Sequence, residues 1–134
     1  MSSFAGFLDG YKSRNIASIE TGLQYKLNEI IDLIGGLLND FSNGTYNKPE
    51  MQYFLQRSLI LLRERNGYNI IGLLTSFGES LKGNMSLINS VATTDSLLKE
   101  KLRKVLYNFA DLASLSEDNS LINLAIDISE RFVY

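Results

Sequence analysis

LQYKLNEIIDLIGGLLNDF, residues 23–41, sets Leu23, Leu27, Ile30, Ile31, Ile34, Leu37, Leu38 and Phe41 at steps of three and four. Asp32 and Asp40 fall off that stripe. Such spacing is one apolar face of an α-helix. It predicts a helix over 16–42, stopped at SNGTYN, where Gly44 can take the left-handed conformation that closes helices. Elsewhere β-branched alternation is almost absent, and Pro49 is the one proline. The predicted fold class is all-α, a single-domain helical bundle over residues 1–134.

Downstream, PEMQYFLQRSLILLRER begins at Pro49, whose missing N–H does no harm in a first helical turn, and Glu50 suits the same dipole end. Met51, Leu55, Leu59 and Leu62 share one side, and the consecutive apolar residues 59–62 predict a helix covered on more than one face. RNGYN, residues 65–69, reads as a break or kink within a helical region 49–82 that continues through Ile70, Ile71, Leu73, Leu74, Phe77 and Leu81. MSLINSVA is so weakly patterned that a short helix is the most it predicts. The clearest start belongs to a helix over 95–114, with Thr94 or Asp95 as N-cap, and a last helix over 118–133 carries Leu121, Leu124, Ala125, Ile128 and Phe132. The expectation is four to five main helices plus a short N-terminal amphipathic segment, joined by loops that suit antiparallel neighbours.

At 134 residues, with 45% apolar and 21% charged, the chain can bury one substantial core. A net charge of −2 sets up no strong field, so nucleic acid is not an expected partner. Cysteine and histidine are both absent, which removes disulfides, thiol catalysis, thiolate metal sites and the commonest transition-metal ligand. MSSFAGFLDGYKSR has no basic segment ahead of its apolar residues, and the uncharged run 66–78 is too short and polar to span a bilayer. These features predict a soluble, cytoplasmic protein without metal or cofactor, alone or inside a larger assembly such as a virion.

Catalysis would have to come from Asp, Glu, Lys, Tyr or Ser. Glu29 with Asp32, and Asp127 with Glu130, stand at i, i+3, but a carboxylate di-metal site needs Glu-x-x-His and no histidine exists. Solvated faces account for both pairs, and no phosphate loop or Gly-x-Ser-x-Gly elbow occurs. The chain is predicted not to be an enzyme. KEKLRK, residues 99–104, is the one basic concentration. It reads as a solvated face with Glu100 paired to Lys104, and alternatively as a patch of Lys99, Lys101, Arg103 and Lys104 for an acidic partner.

Glycine interrupts good helices at Gly35, Gly36 and Gly72, inside two copies of G-L-L-x-x-F. The flanks of the copies do not align and no third copy exists, so a repeat architecture is not predicted. A helix-interior glycine costs roughly 0.5–1 kcal/mol against alanine, which predicts helix crossings or kinks at these positions. Phe4, Phe7, Leu8 and Tyr11 fall at i, i+3, i+4 and i+7, set apart from the main helix by Gly10 and KSRN. That arm either caps its own core or anchors a neighbour in helix-in-groove fashion, and the apolar end with Phe132 and Tyr134 invites the same choice. The predicted function is a protein–protein interaction module: a small structural or adaptor subunit that forms homo-oligomers, in character like accessory proteins of bacteria and phages. The alternatives are an inhibitor or immunity-type protein that blocks a partner, and a small-ligand or nucleotide binder lined by Tyr53, Tyr68 and Tyr107.

Overall fold

Six α-helices and no strand form among the described residues of the computed structural model, which are 3–44, 46–64 and 69–134, with side chains described from residue 22 onward. They are α1 (Ser3–Ser42), α2 (Pro49–Arg63), α3 (Ile70–Gly83), α4 (Met85–Thr94), α5 (Ser96–Ser116) and α6 (Asn119–Arg131). The all-α class predicted from periodicity is the class observed. Two boundaries differ from expectation. Helix α1 begins at Ser3 and runs unbroken through Gly10 and residues 12–15, so no separate short arm doubles back there. MSLINSVA is a full helix, α4, although its buried residues Met85, Ile88, Val91 and Ala92 alternate with Ser, Asn and Thr. Three of the hydroxyls turn back on their own helix: Ser90 Oγ donates to Leu87 O, and Thr93 and Thr94 donate to the Asn89 and Val91 carbonyls. Of the expected break at 65–69, residues 65–68 lie outside the described residues, and Asn69 is the N-cap of α3.

Local chemistry sets the helix ends. Gly44, at φ +85°, takes the left-handed conformation just past α1. Pro49 opens α2 at its first turn. The Asn69 side chain accepts from Gly72 N–H at 2.6 Å. Asp95 accepts from the Leu97 and Leu98 N–H groups at 2.9 Å each, and Asp118 accepts from Leu121 N–H at 2.9 Å. Asn84 serves as both the C-cap of α3 and the N-cap of α4, and Asp95 does the same between α4 and α5.

Helix α1 packs chiefly on α5 and α2, while α6 packs on α3 and α5, and α4 lies against α5. Lys26 pairs with Asp111 at 3.5 Å and Asp40 with Lys101 at 2.6 Å, so α1 and α5 run antiparallel. One hydrophobic cluster draws on all six helices. At its centre Phe77 of α3 and Phe109 of α5 meet edge to face, with ring centroids 5.8 Å apart. Among the described residues, no helix is long and apolar enough to cross a membrane.

Candidate interaction surface on the α1–α5 seam

The buried stripe of α1 (Leu23, Leu27, Ile30, Ile34, Leu37) faces inward. The flank of the same helix that meets α5 carries Lys26, Glu29, Asp32, Leu33, Gly36 and Asp40. Facing it, α5 presents Lys101, Lys104, Asn108 and Asp111. The Lys26–Asp111 pair closes one end of the seam and the Asp40–Lys101 pair closes the other. Ten residues of α5 separate the two pairs, about 15 Å along its axis. Between them the seam opens into two overlapping hollows. One, of about 300 Å³, is lined by Asp32, Leu33, Gly36, Leu37, Lys101 and Lys104. The other, of about 290 Å³, shares Asp32, Leu33 and Lys104 with it and adds Glu29 and Asn108. The floor is apolar, from Leu33 and Leu37, and the rim is charged. No side chain stands at position 36 to fill the space, and a Cβ built there meets nothing within 4 Å.

Three of the residues singled out in the sequence, Gly36, Lys101 and Lys104, therefore line one groove. The others go elsewhere. At Gly35 and Gly36 no described atom beyond the adjoining residues and the helix's own backbone lies within 4 Å of a built Cβ, so neither is a point of close approach among the described residues. Gly72 is not one either: its nearest neighbour is the Asn69 side chain that caps the first turn of α3. The close approach occurs at Gly78 of α3, where a Cβ would stand 2.6 Å from both Leu124 Cδ2 and Phe109 Cζ. The only sequence signal for that is a glycine within a helical stretch.

The basic cluster is largely committed to internal partners. Lys101 holds Asp40. Arg103 pairs with Glu100, with Nε 3.0 Å from Oε2, and its guanidinium lies over the Tyr107 ring at 5.1 Å. Glu100 thus takes Arg103 rather than the expected Lys104, and the Arg103 bond holds its carboxyl below the usual range. Lys104 and Lys99 make no ion pair among the described residues, and Lys104 projects at the groove. The acidic pairs are structural in the same sense. Asp127 accepts from Lys82 and Arg131 at 2.9 Å each, and these bonds depress its pKa. Asp95 is held low chiefly by the Leu98 N–H it caps, and its bond with Tyr46 raises the Tyr46 hydroxyl.

The C-terminal end belongs to the chain's own core in part. Phe132 is buried and meets Tyr134 edge to face at 5.1 Å. The Asn89 amide donates to Arg131 O at 2.8 Å and accepts from Val133 N–H at 3.1 Å, fastening this end to α4. Phe132 is thereby corrected from interface anchor to core residue, while Tyr134 stays exposed. Tyr53 and Tyr107, expected to line a ligand site, are exposed beside Arg57 and Arg103 and line none of the described hollows, and Tyr68 lies outside the described residues.

Phe4, Phe7, Leu8 and Tyr11 lie on α1, where the backbone but not the side chains is described. No protein family, curated protein or solved structure matches this chain.

Proposed function

We propose that this chain is a non-enzymatic protein-binding subunit of the cell interior, or of an assembly made there, which self-associates. The observation that supports this reading most directly is the seam groove. It has an apolar floor, a glycine where bulk would close it, and a charged rim fixed at both ends by ion pairs. That is the anatomy of a recognition surface, in which an apolar centre supplies affinity and rim charges supply orientation. The placement of the carboxylates supports the same reading. Asp95, Glu100 and Asp127 are kept ionised by caps and ion pairs, whereas a general acid needs its pKa raised toward neutrality.

The test is the native mass by light scattering over a concentration series at low and high salt. A discrete oligomer that survives salt is the expected result, because an apolar-floored interface is little screened. A monomer at every concentration overturns self-association.

A further inference from the structure

We propose that Asn43 is a site of self-modification. Its side-chain amide cyclises onto the Gly44 nitrogen and hydrolyses to aspartate and isoaspartate, which puts a new charge at the end of α1 that anchors the seam. The site stands whether or not the chain self-associates. In the ring-forming step the Gly44 nitrogen attacks Asn43 Cγ. An N–Cγ bond forms, the Cγ–Nδ2 bond breaks, and ammonia leaves with the proton of the Gly44 N–H. Water then opens the cyclic imide at either carbonyl. Opening at Cγ gives aspartate, and opening at the main-chain carbonyl gives isoaspartate, whose main chain runs through Cγ and is one carbon longer. The balance is asparagine plus water to acid plus ammonia, with nothing oxidised or reduced.

Three observations lead there. First, the pair is accessible. Helix α1 ends at Ser42, Asn43 and Gly44 are both exposed, and Gly44 at φ +85° takes the chain off the helical path. Inside a helix the next residue's nitrogen is held in the hydrogen-bonded ladder. Here attack asks for a rotation at the last turn, where the Asn43 N–H bonds Asn39 O at 3.1 Å, and helix ends open most readily.

Second, nothing on residue 44 obstructs the attack. Gly44 has no side chain, and a Cβ built there meets no described atom within 4 Å beyond the adjoining residues. Every other described asparagine precedes a residue that carries a side chain, as Asn69 precedes Ile70 and Asn84 precedes Met85. Asn66–Gly67 is the same dipeptide and lies outside the described residues.

Third, the product matters where it forms. Asp40, three residues earlier, holds Lys101 at 2.6 Å and closes one end of the seam. The last turn of α1 contains no basic residue, so a carboxylate at 43 adds like charge beside Asp40 and at the negative end of the helix dipole. The same turn carries Tyr46, whose ring meets Phe41 at 5.6 Å and whose hydroxyl bonds Asp95. Isoaspartate lengthens the connection between Phe41 and Tyr46 and works against that closure.

The test ages the folded protein at mildly alkaline pH in heavy-oxygen water and maps peptides by mass spectrometry. The expected result is conversion at Asn43 ahead of every other described asparagine. It is read as aspartyl and isoaspartyl forms of one peptide, each carrying one heavy oxygen. Asn43→Gln is expected to abolish conversion at that position and leave the rest of the map unchanged. An Asn43 that stays intact in the folded protein while it converts in the urea-unfolded chain overturns the proposal, as does earlier conversion at Asn28, Asn39 or Asn84. The consequence is measured with Asn43→Asp, which is expected to shift the folding equilibrium about 2- to 10-fold toward the unfolded chain, and by less when Asp40→Asn is also present. An equal shift in both backgrounds, or none, overturns the link to the seam.

Discussion

Gly78 lies against Phe109, and the Cβ it lacks would stand 2.6 Å from the ring's Cζ. Phe109 is 1% exposed and braced edge to face by Phe77, so the ring has nowhere to retreat. Alanine at 78 gains helix propensity but overpacks the centre of the core. Gly78→Ala is expected to lower stability by about 1–3 kcal/mol in urea unfolding.

Gly35 is the control for that result. Nothing described lies within 4 Å of its missing Cβ, so Gly35→Ala recovers helix propensity without strain. A gain of about 0.5–1 kcal/mol in the same assay is expected, and a loss would show a close contact at that point.

The two aromatic residues at the C-terminal end separate core from surface. Phe132→Ala removes a buried ring and is expected to cost about 3 kcal/mol, whereas Tyr134→Ala should cost a small fraction of that. Asn89→Ala should speed amide hydrogen exchange at Val133, whose N–H it accepts, before it affects exchange elsewhere.

Acid should destabilise the fold through three carboxylates. The folded-state pKa values of Asp95, Glu100 and Asp127 are depressed, by the Leu98 N–H, by Arg103 and by Lys82 with Arg131 respectively. Their stabilisation is therefore full above the ordinary carboxylate value of about 4 and lost as pH falls through the lower folded values. Tyr46 acts in the opposite direction, because its raised pKa contributes stability that is lost as pH rises past about 10. Thermal midpoints followed from acid to alkali should be flat around neutrality and fall at both ends, and Asp95→Asn should soften both falls.

Ser58 is 2% exposed, and its hydroxyl has no hydrogen-bond partner among the described residues. A buried, unpaired hydroxyl is a cost, so Ser58→Ala is expected to raise stability by about 1 kcal/mol, read as a shifted urea midpoint with unchanged slope.

Much of the fold was legible because it rests on local rules. The stripe from Leu23 to Phe41, the cap at Asp95, Pro49 in a first turn and Gly44 past a helix end each follow from a few adjacent residues. The failures share a cause. Sequence shows only a glycine's position in a helix, yet whether it marks close contact depends on what lies opposite, and only tertiary structure puts Leu124 and Phe109 against Gly78. Helix α4 is hard to read from sequence because its Ser and Thr count against a helix until their hydroxyls are seen bonded to its own carbonyls. The groove combines residues from α1 and α5 that are about seventy positions apart. Asp32 and Asp40, which fall off the stripe, mark its wall.

The pairing of α1 with α5 also has a consequence for how the chain is made. Asp40 and Lys101 are 61 residues apart, so α1 leaves the ribosome well before the helix that covers it exists. At about 5–20 residues per second, the inward stripe of α1 waits about 3–12 s, with only α2 available in the meantime to shield part of it. A nascent chain stalled before residue 101 should be the form that chaperones hold and that aggregates most readily, and synonymous codons that slow the ribosome between α2 and α5 should lower the yield of folded protein.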